Sequence, residues 1–308
     1  MKKIIKCHMI AWMLLCSSNA FSQQLPQFTQ YMFNTISINP AYAGSREALS
    51  VVALHRSQWV GLGGGPTTQT FSIHAPMKNE NVGLGFSFIN DQVGFENTSF
   101  IYADYSYTIR IGLETKLAFG VKGGFTSYSI DQELRNAEPN DPAISGIEDR
   151  WSPNIGAGLF LHTNKWYLGL SAPRILNNNN NNTQSENFAA LDRVSSYFTG
   201  GVVVDINEGV KFKPSFLVKG TNGAPLSYDL TANFLFNDKL WLGAAYRINE
   251  SAGALGVIAD FQISNQLRVG YAYEYPITNA PSFTNSTHEI LLIFEVFKNL
   301  NIKSPRHF

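Results

Sequence analysis

The chain has little cysteine, little charge and no long apolar run beyond its opening segment. Its two cysteines, Cys7 and Cys16, both fall in that segment. A disulfide framework and thiol chemistry are therefore excluded from the rest. No apolar run of about 18 residues follows Ser22, so no transmembrane helix is expected. Charged residues make up only 15% of the chain, against about 25% in an ordinary soluble domain. The 23 basic and 23 acidic side chains cancel, which argues against nucleic acid as a partner. Metal-ligand spacing is missing too. His55, His74, His162, His288 and His307 do not stand at liganding intervals from one another or from cysteine, so no metal or other cofactor is expected. Gly61–Pro66 is glycine-rich but lacks the Lys-Ser/Thr of a phosphate loop.

What is present points outward from the cell. Residues 1–22 have a basic start (Lys2, Lys3, Lys6), an apolar run from Met9 to Leu15 and small or polar residues after it. That pattern is a secretory signal, too short to span a membrane as a helix. Aromatics reach 13%, with 22 Phe and 13 Tyr. Low charge, many aromatics and export without disulfides suggest an outer-membrane β-barrel. A secreted β-sandwich or jelly roll is the alternative.

From Ala48 the sequence breaks into alternating runs of about ten residues, the period a membrane strand needs. The runs are Ala48–His55, Thr68–Ala75, Val82–Asn90, Thr98–Arg110, Thr115–Ser129, Pro153–His162, Trp166–Ala172 and Ser195–Asp205. Val210–Lys219, Leu226–Phe236, Lys239–Ile248, Ala254–Ile263, Leu267–Tyr275 and Thr287–Phe297 follow. The expectation is an all-β, antiparallel transmembrane barrel of about 14 strands. Connections alternate in length. Ile111–Glu114, Thr163–Lys165, Ile206–Gly209, Asn237-Asp238 and Ser264–Gln266 are tight and rich in turn residues. Arg56–Thr67, Asp91–Asn97, Ile130–Ser152, Pro173–Val194, Gly220–Pro225 and Pro276–Ser286 are longer. Bacterial barrels keep short turns in the periplasm and longer loops outside, so both termini are expected to be periplasmic. A sandwich has no reason to segregate its loops this way.

Parity separates the charges from the apolar residues. Ile290, Leu292, Phe294 and Val296 share one face, with Glu289 and Glu295 on the other. The same split sets Tyr271, Tyr273 and Tyr275 against Arg268 and Glu274, and Leu117, Phe119 and Val121 against Lys116 and Lys122. An apolar exterior around a polar interior is the arrangement of a membrane barrel. Ser72 with His74, or Ser286 with His288, is the material for a hydrolase, but such pairs are common on barrel strands, and no enzyme is expected.

The segment ahead of the strands, QYMFNTISINPAYAGS (Gln30–Ser45), mixes aromatics with amides and carries a turn at Asn39-Pro40. Gly44 allows a tight entry into the first strand. It suits an arm packed on the body of the fold, or a plug. Arg56-Ser57-Gln58-Trp59-Val60, at the end of that strand, reads as an interface anchor or a binding hot spot.

Pro26–Ser45, followed by RSQWVGLGGGPTTQTFSIHAPM (Arg56–Met77) and the ending Ser304–Phe308, resembles the PorP/SprF family of the type IX secretion system in Bacteroidetes. Thr35 stands where the family often has proline. The resemblance implies a non-enzymatic outer-membrane barrel that supports secretion or surface attachment of cargo, including gliding adhesins. It implies partners among type IX cargo and a periplasmic ring or peptidoglycan-binding lipoprotein, besides outer-membrane lipid. The expected layout is a signal peptide over 1–22, a periplasmic or lumenal arm over 23–47, a barrel over 48–297 and a periplasmic tail over 298–308. Candidate partner-binding residues are Gln30, Tyr31, Phe33, Asn34, Asn39, Pro40, Tyr42, Gly44, Arg56, Gln58 and Trp59. A channel for small or hydrophobic solutes is the rival reading.

Overall fold

The computed structural model describes residues 26–131, 150–176, 194–249, 253–277 and 286–297. The expected leader, the acidic core of the loop before Ser152, the asparagine run 177–182 and the tail 298–308 lie outside the described residues. The strands are β1 (Ala48–Ser57), β2 (Thr67–Pro76), β3 (Val82–Val93), β4 (Glu96–Arg110), β5 (Lys116–Ile130), β6 (Arg150–His162) and β7 (Trp166–Arg174). They continue with β8 (Ser195–Val202), β9 (Val204–Asn207), β10 (Val210–Thr221), β11 (Ser227–Phe236), β12 (Leu240–Ile248), β13 (Gly253–Gln262), β14 (Leu267–Pro276) and β15 (Thr287–Phe297).

These strands close into one antiparallel barrel. β1 pairs with both β2 and β15, and β10 pairs with β11 on one side and with β8 and β9 on the other. β8 and β9 are two pieces of a single stave, interrupted at Val203, so the ring has 14 staves. β9 pairs with β10 alone, and closure pairs every other described strand with neighbours on both sides. Hydrocarbon demands this, because it offers no water to an unpaired N–H or C=O.

The two faces follow the parity of the sequence. On β15, Ile290, Leu292, Phe294 and Val296 face outward with 40–50% of their surface free, whereas Glu289 is only 1% exposed. Exposed apolar residues around buried carboxylates would be unstable in water and are favoured in lipid. Val121, outward in the middle of β5 and 56% exposed, offers a direct check. Val121→Arg should destabilise the barrel in lipid vesicles by about 2–4 kcal/mol, while Val121→Leu should be neutral, as read by reversible unfolding.

The ends of the barrel differ. β1 begins and β15 ends at the end carrying the tight turns, here called the turn end; the opposite end is the loop end. Between β11 and β12, Asn237 and Asp238 both adopt positive φ (49° and 54°), the geometry that matches strand twist in a tight hairpin. One expected long connection is not one. Asp91, Gln92 and Asn97 belong to strands, and pairing runs up to Val93 opposite Glu96. Gly94, with φ of 59°, makes the reversal with Phe95. The polar residues on both sides of Gly94 mimic a loop in the sequence because β3 and β4 continue past the apolar belt.

The lumen is not empty. Three short 3₁₀ turns, Tyr31–Phe33, Thr35–Ser37 and Pro40–Tyr42, carry the arm through it. Phe28, Met32, Phe33, Ile36, Ala41 and Tyr42 are almost fully buried. Gln27 bonds Ser227 and Asp229 beside the β10–β11 connection at the loop end. Arg46 pairs with Glu295 near the turn end. The arm therefore traverses the barrel from the loop end to the turn end before β1 begins.

Candidate functional site: the lumenal seat of the arm

The arm rests on two walls of opposite character. The first, over β3–β7, is made of small residues. Gly83, Ser106, Gly120, Gly158 and Ser171 are direct cross-strand partners in succession, forming a row around the inner wall. A Cβ at Gly83 would lie 2.1 Å from the Ala43 carbonyl oxygen, and one at Gly120 2.1 Å from the Ala41 nitrogen. At Gly158 it would lie 2.2 Å from Asn39 Oδ1. Only glycine lets the arm's backbone approach so closely. The two serines donate to it: Ser106 Oγ to the Ala43 carbonyl at 2.6 Å and Ser171 Oγ to the Ile38 carbonyl at 2.8 Å. Below the third turn, Gly44 takes φ of 73° and its N–H donates to His74 Nδ1 at 3.1 Å.

The second wall, β1 with β10–β15, is charged. The N–H groups of Thr29 and Gln30 donate to the two carboxylate oxygens of Glu289, at 2.7 and 3.1 Å. Arg56 pairs with the same carboxylate and, at 3.5 Å, with Glu274. Arg247 bridges Glu274 to Asp229. At the turn end Arg46 binds Glu295 through two nitrogens. Burial works against the Arg46 charge, but Glu295 and Tyr42 more than offset it, so its pKa is raised. Phe33 lies between two cations, with Lys213 Nζ at 4.7 Å and Arg268 Cζ at 4.1 Å from its ring centre, and meets Trp241 edge-on at 6.0 Å.

The arm candidates come together here. Gln30 and Tyr31 are buried in the first turn. Asn34 Nδ2 donates to Thr70 Oγ1 at 2.9 Å, and Asn34 Oδ1 accepts from Ser72. Asn39 is extended, accepts from the Ala41 N–H at 3.0 Å to cap the turn opened by Pro40, and donates to the Leu159 carbonyl. Tyr42 packs edge-on against His74 and Phe160. Arg56 and Trp59 part company. Arg56 points into the lumen and is 3% exposed, as an ion-pair partner rather than a surface anchor. Trp59 adopts φ of 56° in the loop, and Gln58 donates to the Pro66 carbonyl. Neither Gln58 nor Trp59 joins the seat, because both lie beyond the end of β1, in the loop that follows it.

Sequence reasoning placed Glu289 and Glu295 in the lumen but missed them as the arm's anchors. It also missed the glycine–serine row. A usable signal existed: Gly83, Gly120 and Gly158 all fall on inward parity. Serine–histidine pairing takes a different course at each place considered. His74 is used by the Gly44 N–H. Ser286 and His288 do bond, at 3.0 Å, with Tyr271 on the other ring nitrogen, on the outer face. Among the described residues no group of three or more His, Cys, Asp or Glu is set to hold a metal.

Comparison with solved structures finds β-barrels at low identity. The monoaromatic hydrocarbon channel CymD is 12% identical with a TM-score of 0.49, covering 89% of this chain and 94% of its own. The Acinetobacter baumannii outer membrane protein Omp33 is 11% identical with a TM-score of 0.46, covering 81% and 99%. The KdgM porin is 9% identical with a TM-score of 0.39, covering 80% and 99%. No curated protein matches the sequence. Residues 20–294 match the family described as type IX secretion system membrane protein PorP/SprF. A match over nearly the whole barrel and its arm places this chain in the PorP/SprF family of type IX secretion system membrane proteins.

Proposed function

We propose that the protein is a plugged, non-enzymatic outer-membrane scaffold of type IX secretion. It supports release or surface attachment of cargo at the loop end and docks periplasmic partners, a ring or a peptidoglycan-binding lipoprotein, at the turn end. The observation that carries this reading is the arm. A lumen filled by the protein's own buried segment, pinned at both ends by carboxylates, suits a fixed anchor better than a conduit. Cross-linking in the native outer membrane followed by affinity purification and mass spectrometry tests it. Recovery of type IX cargo or ring components is the expected result. A clean monomer in repeated trials would sink the scaffold.

One observation favours the rival channel. Gln30, Asn233 and Asp260 are fully buried, with their side-chain polar atoms unpaired, and Arg268 has two nitrogens without a partner. Buried polar groups without protein partners call for water, and these line the β11–β14 side of the arm. A stable conductance in planar bilayers from the intact chain would favour the channel. Deletion of 26–45 that left both folding and cargo display unchanged would remove the arm from either reading.

A further inference from the structure

The outer face of β1–β6 changes character abruptly near the loop end. Ala53, Phe71, Phe88, Ile101, Phe125 and Pro153 are successive cross-strand partners facing outward, and form an apolar row. The next outward row is His55, Gln69, Asn90, Ser99, Ser127 and Trp151. Above it stand Ser57, Thr67, Gln92, Asn97 and Ser129. Neither row contains a carboxylate, lysine or arginine. β4 and β5 have 15 residues each, where about 9–11 suffice to cross the hydrocarbon. The strands therefore continue past the apolar belt as a rigid sheet, and these two rows are its outer surface.

We propose that this surface binds an uncharged saccharide of the layer that lies just above the outer leaflet. Hydroxyls and primary amides both donate and accept, as sugar hydroxyls do. Ser99 Oγ already donates to Asn90 Oδ1 at 2.7 Å across the strands, which fixes the orientation of that pair. Trp151, 57% exposed at the end of the lower row, offers a flat ring for the C–H face of a sugar and an N–H at its rim. The absence of lysine and arginine from both rows argues against a phosphate-bearing headgroup, which needs charge-assisted bonds. A hydrogen-bonding sheet without lysine, arginine or carboxylate, ending at an exposed tryptophan, is complementary to a neutral pyranose chain. The proposal rests on the loop end being the external end.

The test uses the full chain in detergent and neutral oligosaccharides released from the native outer membrane, followed by calorimetric titration. Binding should be saturable and indifferent to salt, and weaker by about ten-fold or more in Trp151→Ala and in the double variant Gln69→Ala/Gln92→Ala. No binding to any neutral saccharide overturns the proposal, as does salt-sensitive binding of phosphorylated forms alone. So does a dimer of the intact chain that Trp151→Ala dissolves, since a second copy would then be the occupant. Gln92→Cys, at an exposed position of the upper row, probed on whole cells with an impermeant maleimide, separates the two readings. Labelling without saccharide binding defeats the saccharide site alone. Absence of labelling defeats the orientation and the site with it.

Discussion

Glu289→Ala is expected to be the most damaging single substitution in the lumen. It removes the acceptor of two consecutive arm N–H groups and the partner of Arg56. Taking away one member of a buried ion pair costs about 3–5 kcal/mol, because the remaining charge is left uncompensated. Glu274 stays near Arg56, but at 3.5 Å and already shared with Arg247, so it recovers only part of the loss. The readouts are the unfolding midpoint in detergent and protease access to the arm at the loop end. The double variant Arg56→Met/Glu289→Leu separates charge from hydrogen bonding. It removes the stranded cation yet leaves the Thr29 and Gln30 N–H groups without an acceptor, at about 1–3 kcal/mol each. Stability of the double variant should therefore lie between those of the single variant and the native chain. If Glu289→Ala unfolded like the native chain and its arm stayed protected, the carboxylate would not be an anchor.

Gly120→Ala is expected to unseat the arm without breaking the barrel. One methyl group at this position would sit 2.1 Å from the Ala41 nitrogen and 2.4 Å from its Cα. These are backbone atoms held by a run of 3₁₀ hydrogen bonds, so they cannot yield as a side-chain tip does. The wall strand itself is paired along its full length and has no reason to move. The segment Ile38–Gly44 should lift, releasing the Ser106 and Ser171 bonds and freeing His74. Gly123→Ala is the control: on the same strand, but facing outward, its added methyl would meet nothing within 4 Å. Conductance should rise in Gly120→Ala and stay native in Gly123→Ala, and a cysteine placed at Ala41 should become reactive only in the former. An unreactive cysteine in Gly120→Ala would show that the arm tolerates the methyl by another route.

The barrel was legible in the sequence because a membrane strand obeys a strict period of two on two very different solvents. Glu289 and Glu295 could be assigned to the lumen from their neighbours Ile290 and Val296 alone, and the pairing agrees. Hairpin turns announce themselves through residues that tolerate positive φ, as Asn237-Asp238 does. The failures have a common cause. Asp91, Gln92 and Asn97 read as loop because polarity in a barrel marks solvent, not irregularity, and these strand residues project beyond the lipid. Arg56 and Trp59 were grouped because they are near in sequence, though one turns into the lumen and the other leaves in a loop. The seat of the arm depends on registers between strands far apart in the chain. Gly83, Gly120 and Gly158 line up only once β3–β6 have paired, and no local pattern encodes that.

The arm's two carboxylate anchors have a consequence for the order of assembly. Glu289 and Glu295 both belong to β15, the last of the described strands, while the arm groups they hold precede β1. Gln27 can reach Ser227 and Asp229, and Gly44 can reach His74, before β15 is in place, but the Glu289 and Glu295 bonds form only with that strand, whose pairing with β1 also seals the ring. Sealing the ring and completing the arm's two β15 anchors are thus a single event. A chain stalled before Thr287 would be left open-sided and without these two anchors, and a ring closed without its arm would leave Arg56 facing Glu289 with no backbone to share. The seam is completed by the same strand whose side chains hold the arm in the lumen.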